Sequence, residues 1–326
     1  MTDESLPLPV YHPSVLTKEV IEYLKAERGG HLWVDATLGS AGHAIAIGRA
    51  VEGHGMLLGI ERDPHMASLA ENRLAEFSQH HPDWRYWIRI GSYRELPESL
   101  SELGLPPPRG IVADLGVSYL QLRTARGIGF QNPEAPLDGR FNPAENGLTI
   151  GDLVNTWSAQ DIANVLWRYG DESKSRSIAR KIVEARRRGP LTRVGELAEI
   201  IRSCFPPRRH PGLPDPITKS WQALRIRVNE ELEHVEEGLR RMIEALAPGG
   251  RLVVIAFHSG ETRIVKRVFA EAAGPATDPT NPYTLHPERP QRFRIVTRKA
   301  VLPGEVEYRE NPGSRSAGLR CLERIA

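Results

Sequence analysis

Leu32-Trp33-Val34-Asp35-Ala36-Thr37-Leu38-Gly39-Ser40-Ala41-Gly42-His43, followed by Met56-Leu57-Leu58-Gly59-Ile60-Glu61, decides the fold. A short apolar run ends in an acid, turns through two glycines and enters a helical stretch, Ala41 to Ala50. A second apolar run then also ends in an acid. That order is the signature of a β-α-β unit with parallel strands. Working outward, Tyr86 to Ile90 and Ile111 to Asp114 read as further strands, with helices at Pro64 to Ser78 and Tyr93 to Leu103. Ser14 to Arg28 has helical apolar spacing and is closed by Gly29-Gly30. Strands and helices in alternation predict a parallel sheet covered on both faces.

The alternation stops after Asp114. From about Tyr119 to Lys219 the sequence passes through Gly- and Pro-rich loops into helical stretches, Ala159 to Tyr169 and Ser173 to Arg188, with no strand pattern. It resumes with a long helix, Ser220 to Ala247, stopped by Pro248-Gly249-Gly250. After that come a strand at Arg251 to Phe257, a helix at Glu261 to Ala273, and two closing strands at Arg292 to Thr297 and Leu319 to Ile325. The expected division is therefore 1–118 and 220–326 as two parts of one sheet domain, with 119–219 as an inserted helical domain.

Composition narrows the class. The 326 residues are 40% hydrophobic and 26% charged, enough for real cores. No apolar run approaches the roughly 20 residues of a membrane helix, and the start of the chain lacks the bases and apolar stretch of a signal peptide. A cytoplasmic address is the expectation, with no membrane partner. Two distant cysteines, Cys204 and Cys321, make neither a disulfide framework nor a cysteine zinc site, and no pattern of metal ligands stands out. Net charge is only +2, yet Ser173 to Arg225 holds 13 Lys or Arg against 4 Asp or Glu. A basic segment on an acidic body suits a phosphate-rich partner, although a solvated helix face gives the same pattern.

Ligands of open parallel sheets bind at the carboxyl ends of the strands. The turn at Gly39 lacks the dinucleotide fingerprint, because positions 41 and 44 are Ala rather than Gly, which disfavours a nicotinamide cofactor. Asp35 suits a cationic centre such as the sulfonium of S-adenosylmethionine. Glu61, some twenty residues beyond the turn, is placed to accept hydrogen bonds from both ribose hydroxyls of an adenosine. Asp114 to Ser118 with Gln121 would face the same edge or merely form a backbone turn, and His258 in Phe257-His258-Ser259 is either a cleft residue or a satisfied buried imidazole. On the long helix, Gln222, Arg225 and Asn229 share one face and form a stripe able to hold a base edge or a phosphate, or simply a solvated face.

These segments together resemble the bacterial 16S ribosomal RNA (cytosine-N4)-methyltransferase family nearly end to end. The resemblance rests on His12-Pro13-Ser14-Val15-Leu16, Asp35 to His43, Arg62-Asp63-Pro64, Asp114 to Ser118 with Gln121-Leu122, Pro136-Leu137-Asp138, Tyr169-Gly170 and Ile178-Ala179-Arg180. It continues through Gln222-Ala223, Val228-Asn229, Phe257-His258-Ser259 and Glu310-Asn311-Pro312. The resemblance implies an α/β fold: a Rossmann-like class I methyltransferase sheet interrupted by an inserted all-helical domain. It implies methyl transfer from S-adenosylmethionine to the exocyclic N4 of a cytidine in the decoding region of 16S rRNA, within the small ribosomal subunit, and leaves room for a homodimer. By position, Ala41, Gly42, His43, Glu61, Tyr93, Asp114 and Gln121 would hold the cofactor. Asp114, His258, Ser118 and Ser259 would carry the chemistry. Arg225, Asn229 and Gln222, with Arg180 and Lys181 in the basic stretch, would hold RNA.

The sequence departs from the family at Ala41, where a glycine is usual, and the expected consequence is a crowded ligand and weaker cofactor binding if that residue has positive φ. Glu61 replaces Asp, Gly139 and Phe141 replace methionines, Tyr119-Leu120 replace Ser-Pro, and Gly260 and Thr262 replace Leu and Asp. Loss of the acid at Thr262 is expected to weaken the start of the following helix. These changes keep two further readings open, a methyltransferase for another RNA or cytidine and a non-catalytic rRNA-binding assembly factor.

Overall fold

The computed structural model describes residues 14–27, 29–145, 147–206, 215–274, 277–278, 281–285 and 291–326. The chain forms two compact units, Met1–Gly116 with His234–Ala326, and Val117–Glu233. His12 and Pro13 of the family-like start lie outside the described residues.

In the first unit a seven-stranded sheet is built from β1 (Leu32–Asp35), β2 (Gly55–Glu61), β3 (Trp84–Ile90), β4 (Gly110–Asp114), β5 (Arg251–Ala256), β8 (Phe293–Ile295) and β9 (Gly318–Arg324). Its order is β3-β2-β1-β4-β5-β9-β8. The first five strands are parallel, and β9 runs antiparallel to both β5 and β8. Pairing of β4 with β5 joins segments that the sequence separates by more than a hundred residues, so the flanks complete a single sheet. A separate pair, β6 (Thr277–Asp278) and β7 (Asn281–Leu285), lies outside it.

Alternation along the buried strands sends side chains to two cores. Trp33, Leu57, Val112 and Val253 pack with α1 (Thr17–Leu24), α2 (Gly42–Ala50) and α3 (Pro64–His80). Leu32, Val34, Leu58, Ile111 and Val254 pack with α4 (Leu96–Glu102), α11 (Glu231–Ala245) and α12 (Ser259–Ala273). A short helix α13 (Glu305–Glu310) precedes β9. Among the described residues no helix is long and apolar enough to cross a membrane.

The second unit holds α5 (Tyr119–Leu122), α6 (Ile150–Thr156), α7 (Ala159–Gly170), α8 (Ser175–Ala185), α9 (Val194–Arg202) and α10 (Thr218–Asn229). Ile150, Leu153, Leu166, Ile178, Ile182, Leu197, Trp221 and Leu224 are among its buried core. Its described residues pair as β-structure only at one isolated bridge, Pro136 to Arg193.

One expectation is corrected here. The helix read as Ser220 to Ala247 is two helices, because Glu230 adopts φ 51° and ends α10 in a left-handed turn. Such a turn costs a non-glycine residue about 1 kcal/mol. Flanking contacts offset it: Arg225 makes a bidentate bridge to Glu231, at 2.7 and 3.0 Å, and Asn229 is held by three backbone partners. The second unit accordingly runs to Glu233 and takes α10 with it, rather than stopping at Lys219.

Candidate active site

The sheet order reverses at β1, which lies between β2 and β4, and this is where an open α/β sheet offers a crevice beyond its carboxyl ends. The loop leaving β1 is tied to both neighbours, since Ala36 N–H donates to Val112 O at 2.8 Å and Leu38 N–H to Ile60 O at 2.9 Å. Gly39 and Ala41 both take left-handed conformations, with φ 52° and 63°. Gly42 packs directly against Ser14, whose hydroxyl would have to swing away to admit a side chain there.

Three acids line this edge. Register pairs Asp35 with Gly59 and with Val112, so Glu61 and Asp114 each project two residues beyond it. Asp35 is set back and only 1% exposed. Burial pushes its carboxyl up to about 7, against the pull of the Thr37 and Ala44 backbone N–H groups. Burial also raises Glu61 to about 7, although its Oε2 accepts from Gly39 N–H at 2.7 Å and its Oε1 from Asp63 N–H at 2.9 Å. Asp114 is held well above the usual carboxylate range by burial, then by the charges of Asp35, Glu261 and Glu307. Its Oδ1 is buried with no hydrogen-bond partner, while its side chain as a whole keeps 24% exposure.

His43 sits beside Asp114, with Nδ1 3.8 Å from Oδ2. Its Nε2 lies 2.9 Å from Val15 O. A carbonyl can only accept, so Nε2 carries the proton and Nδ1 presents a lone pair to Asp114. Burial lowers the His43 pKa and keeps the ring neutral. Thr37, absent from the sequence reading, fixes the strand end by accepting Asp114 N–H at 2.7 Å. Its only sequence signal is its place in the turn.

Other expected residues fall into two groups. Tyr93 opens a short 3-10 turn at the end of β3, and its ring occupies the space that a side chain on Gly238 would need. His258 caps α12: its Nδ1 accepts from Gly260 N–H at 3.2 Å. The ring proton therefore lies on Nε2, which is 3.2 Å from Glu261 Oε1 but not aligned for a hydrogen bond, and is buried without a partner. Ser259 is the first, exposed residue of α12. Ser118 and Gln121 belong to the second unit and form a reciprocal capping box at α5, with Ser118 N–H to Gln121 Oε1 at 2.9 Å and Gln121 N–H to Ser118 Oγ at 3.1 Å.

Several expectations are corrected. Arg225 and Asn229 are buried inside the second unit and tie its own chain together, so neither is a surface handle for a base. Lys181 donates to Ser203 O and Oγ, both at 2.9 Å, and thus closes the end of α9. Gln222 is half-buried, while Arg180 is exposed. The helix after His258 is not weakened by Thr262, because Glu261 supplies the acid one residue earlier, accepting from Phe257 N–H at 2.8 Å. Nor does the Ala41 methyl crowd a ligand, since it is fully buried in the first core cluster.

The edge fits S-adenosylmethionine on its own features. Glu61 retains lone pairs for a diol, Asp114 Oδ1 and His258 Nε2 are buried polar atoms without hydrogen bonds, and three acids with raised pKa favour a cation.

Comparison with known proteins places the whole chain. A family model described as the MraW methylase family matches residues 9–325. A Geobacter sulfurreducens protein named ribosomal RNA small subunit methyltransferase H is 42% identical over 96% of this chain and 99% of its own length. Proteins of the same name from Thermomicrobium roseum and Syntrophotalea carbinolica are 42% and 39% identical, over 98% and 96% of this chain and 95% and 98% of their own.

Proposed function

Since the chain belongs to the MraW methylase family, we propose that it methylates the small-subunit ribosomal RNA, using S-adenosylmethionine, at the exocyclic N4 of a cytidine in the decoding region. The observation that carries the chemistry is the buried, unpartnered Asp114 Oδ1 at the strand-order reversal, beside Asp35 and Glu61.

Bound there, S-adenosylmethionine would supply an electrophilic methyl group. Glu61 would accept the ribose hydroxyls, and the Gly39 to Gly42 turn, free of side chains at both glycines, would lie along the methionine end. Cytosine N4 is a weak nucleophile because its lone pair is delocalised into the ring, so holding it in line supplies most of the rate. As positive charge develops on nitrogen, an acceptor must take up an amine proton. Asp114 is suited to that task, because the crowding that disfavours its anion makes it a stronger base than a surface aspartate once ionised. Thr37 positions its strand end by accepting Asp114 N–H. His258, whose Nδ1 is used in its own cap, is left as a donor through Nε2.

The assembly-factor alternative drew on Ala41 and Thr262, and the buried Ala41 methyl and the Glu261 cap remove both motives. Asp114→Ala should reduce methyl incorporation into undermethylated small subunits at least 100-fold, the usual range for loss of a proton acceptor. Near-normal turnover would take Asp114 out of the mechanism, and N4-methylcytidine appearing elsewhere in the RNA would overturn the target.

A further inference from the structure

The second unit carries a cluster of aromatic rings and arginines that the methyl-transfer site does not use. Trp157, the residue that ends α6, is half-buried against the helical core and has the Arg227 guanidinium 5.2 Å from its ring centroid. Tyr169 is likewise half-buried on that core, with Arg168 5.4 Å from its ring. The charges of Arg168 and Arg227 both act on the Tyr169 phenol, whose hydroxyl donates to Glu233 at 3.0 Å, so the two ring and guanidinium pairs are neighbours. Arg186 donates to Val154 O at 2.7 Å, which sets the Arg186-Arg187-Arg188 triplet against the last turn of the helix that ends at Trp157. Arg187 and Arg188 are exposed. Glu230 and Glu233 oppose these five arginines, leaving an excess of positive charge.

We infer that Trp157 and Tyr169, interleaved with Arg227 and Arg168, form a stacking platform for unpaired RNA bases, while the arginine triplet lies along the adjoining phosphates. The inference rests on the RNA-methylating reading above and deepens it by naming how single-stranded substrate is held. Packing on the core fixes the rings before binding, so stacking costs little side-chain entropy. A planar guanidinium over a ring extends the stack in a way that an ammonium does not. A duplex keeps its bases stacked inside and has no use for such a platform. Charge complementarity therefore argues for a nucleic acid, and two half-buried aromatic rings interleaved with arginines argue for unpaired bases.

The test is fluorescence anisotropy of the full chain with a labelled ten-nucleotide single-stranded RNA and with a duplex of equal length. Trp157→Leu should weaken the single strand about tenfold, in the range for loss of one stacked base, and leave the duplex within about twofold, since charge contacts persist. Trp157→Phe should restore native binding. Arg227→Lys should weaken the single strand with an unchanged salt slope, because the charge is kept. Far-ultraviolet circular dichroism checks that the helical second unit of each variant remains folded.

Native-like single-strand binding by Trp157→Leu would overturn the platform alone, as would equal losses on both RNAs. So would loss of methylation on intact subunits with single-strand binding preserved, which would assign the face to a ribosomal protein. A native chain that bound neither RNA would overturn the RNA-methylating reading together with the platform.

Discussion

Asp35→Asn should stabilise the cofactor-free protein in alkali relative to acid. Asp35 is 1% exposed and its carboxyl is raised from 3.8 to about 7 by burial. Below the lower value both folded and unfolded chains hold the proton, and there is no electrostatic cost. Between the two values the folded state retains a proton that the unfolded chain has released, so stability falls as pH rises, and above about 7 the full cost is present. Three pKa units correspond to about 4 kcal/mol, more than half of which develops between pH 5 and pH 8. The amide has no such term. It does replace one acceptor oxygen by a donor facing the backbone N–H groups, a penalty of about 1–2 kcal/mol that is independent of pH. Thermal unfolding followed by circular dichroism should therefore show the variant gaining about 5 °C on the native protein between pH 5 and pH 8. Parallel curves for the two proteins would show that Asp35 titrates normally and would refute the buried-acid argument.

Ala41→Gly relieves a left-handed alanine, worth about 1 kcal/mol, but removes a fully buried methyl worth about 0.8 kcal/mol. Urea unfolding should place it within about 0.5 kcal/mol of native, and calorimetry should give an unchanged cofactor affinity. Glu261→Gln removes a like charge from the surroundings of Asp114, whose pKa should fall, moving the acid limb of the turnover profile to lower pH. An unmoved limb would separate that limb from Asp114. Arg225→Ala leaves the buried Glu231 carboxylate unpaired and should cost about 3–5 kcal/mol in thermal or urea unfolding. Refolded at low temperature, the variant should keep its RNA affinity, because the guanidinium faces the protein's own chain.

Legibility in the sequence followed the range of the forces involved. β1 was readable to the residue, since Leu32 to Asp35 is apolar throughout and ends in an acid followed by a turn. Pro64 after Asp63 marked the start of α3, and Asp63 does accept His65 N–H at 3.0 Å. The break at Glu230 was not readable, because apolar spacing continues through it and its cause is side-chain bonding among Arg225, Asn229 and Glu231. Polar residues suffered most. Gln222, Arg225 and Asn229 form a polar stripe on a helix drawn alone, yet a stripe turned toward the backbone of Gly139 and Phe141 becomes a buried clamp. Thr262 would stand at the capping-acid position only if Ser259 capped the helix. With His258 in that role, the relevant acid is Glu261. Glu307 could not be connected with the site from sequence at all, as it reaches Leu16 N–H across 291 residues.

The acids at the strand ends explain why the edge of the sheet is costly to maintain and why it is kept. Asp35 and Asp114 sit on adjacent strands and Glu61 on the other neighbour of β1, so parallel pairing itself brings the carboxyls together. Asp35 raises both Glu61 and Asp114, and no guanidinium or ammonium is among the groups that shift the three acids. A local cation would have removed the strain, as Arg140 does for Asp138 in the second unit, whose pKa falls below the usual range. Where an acid serves only structure, the chain provides its own counter-charge. No arginine or lysine lowers Asp35, Glu61 or Asp114 in this way, and the free energy that such a partner would have released on folding is left to be released when a cationic ligand binds.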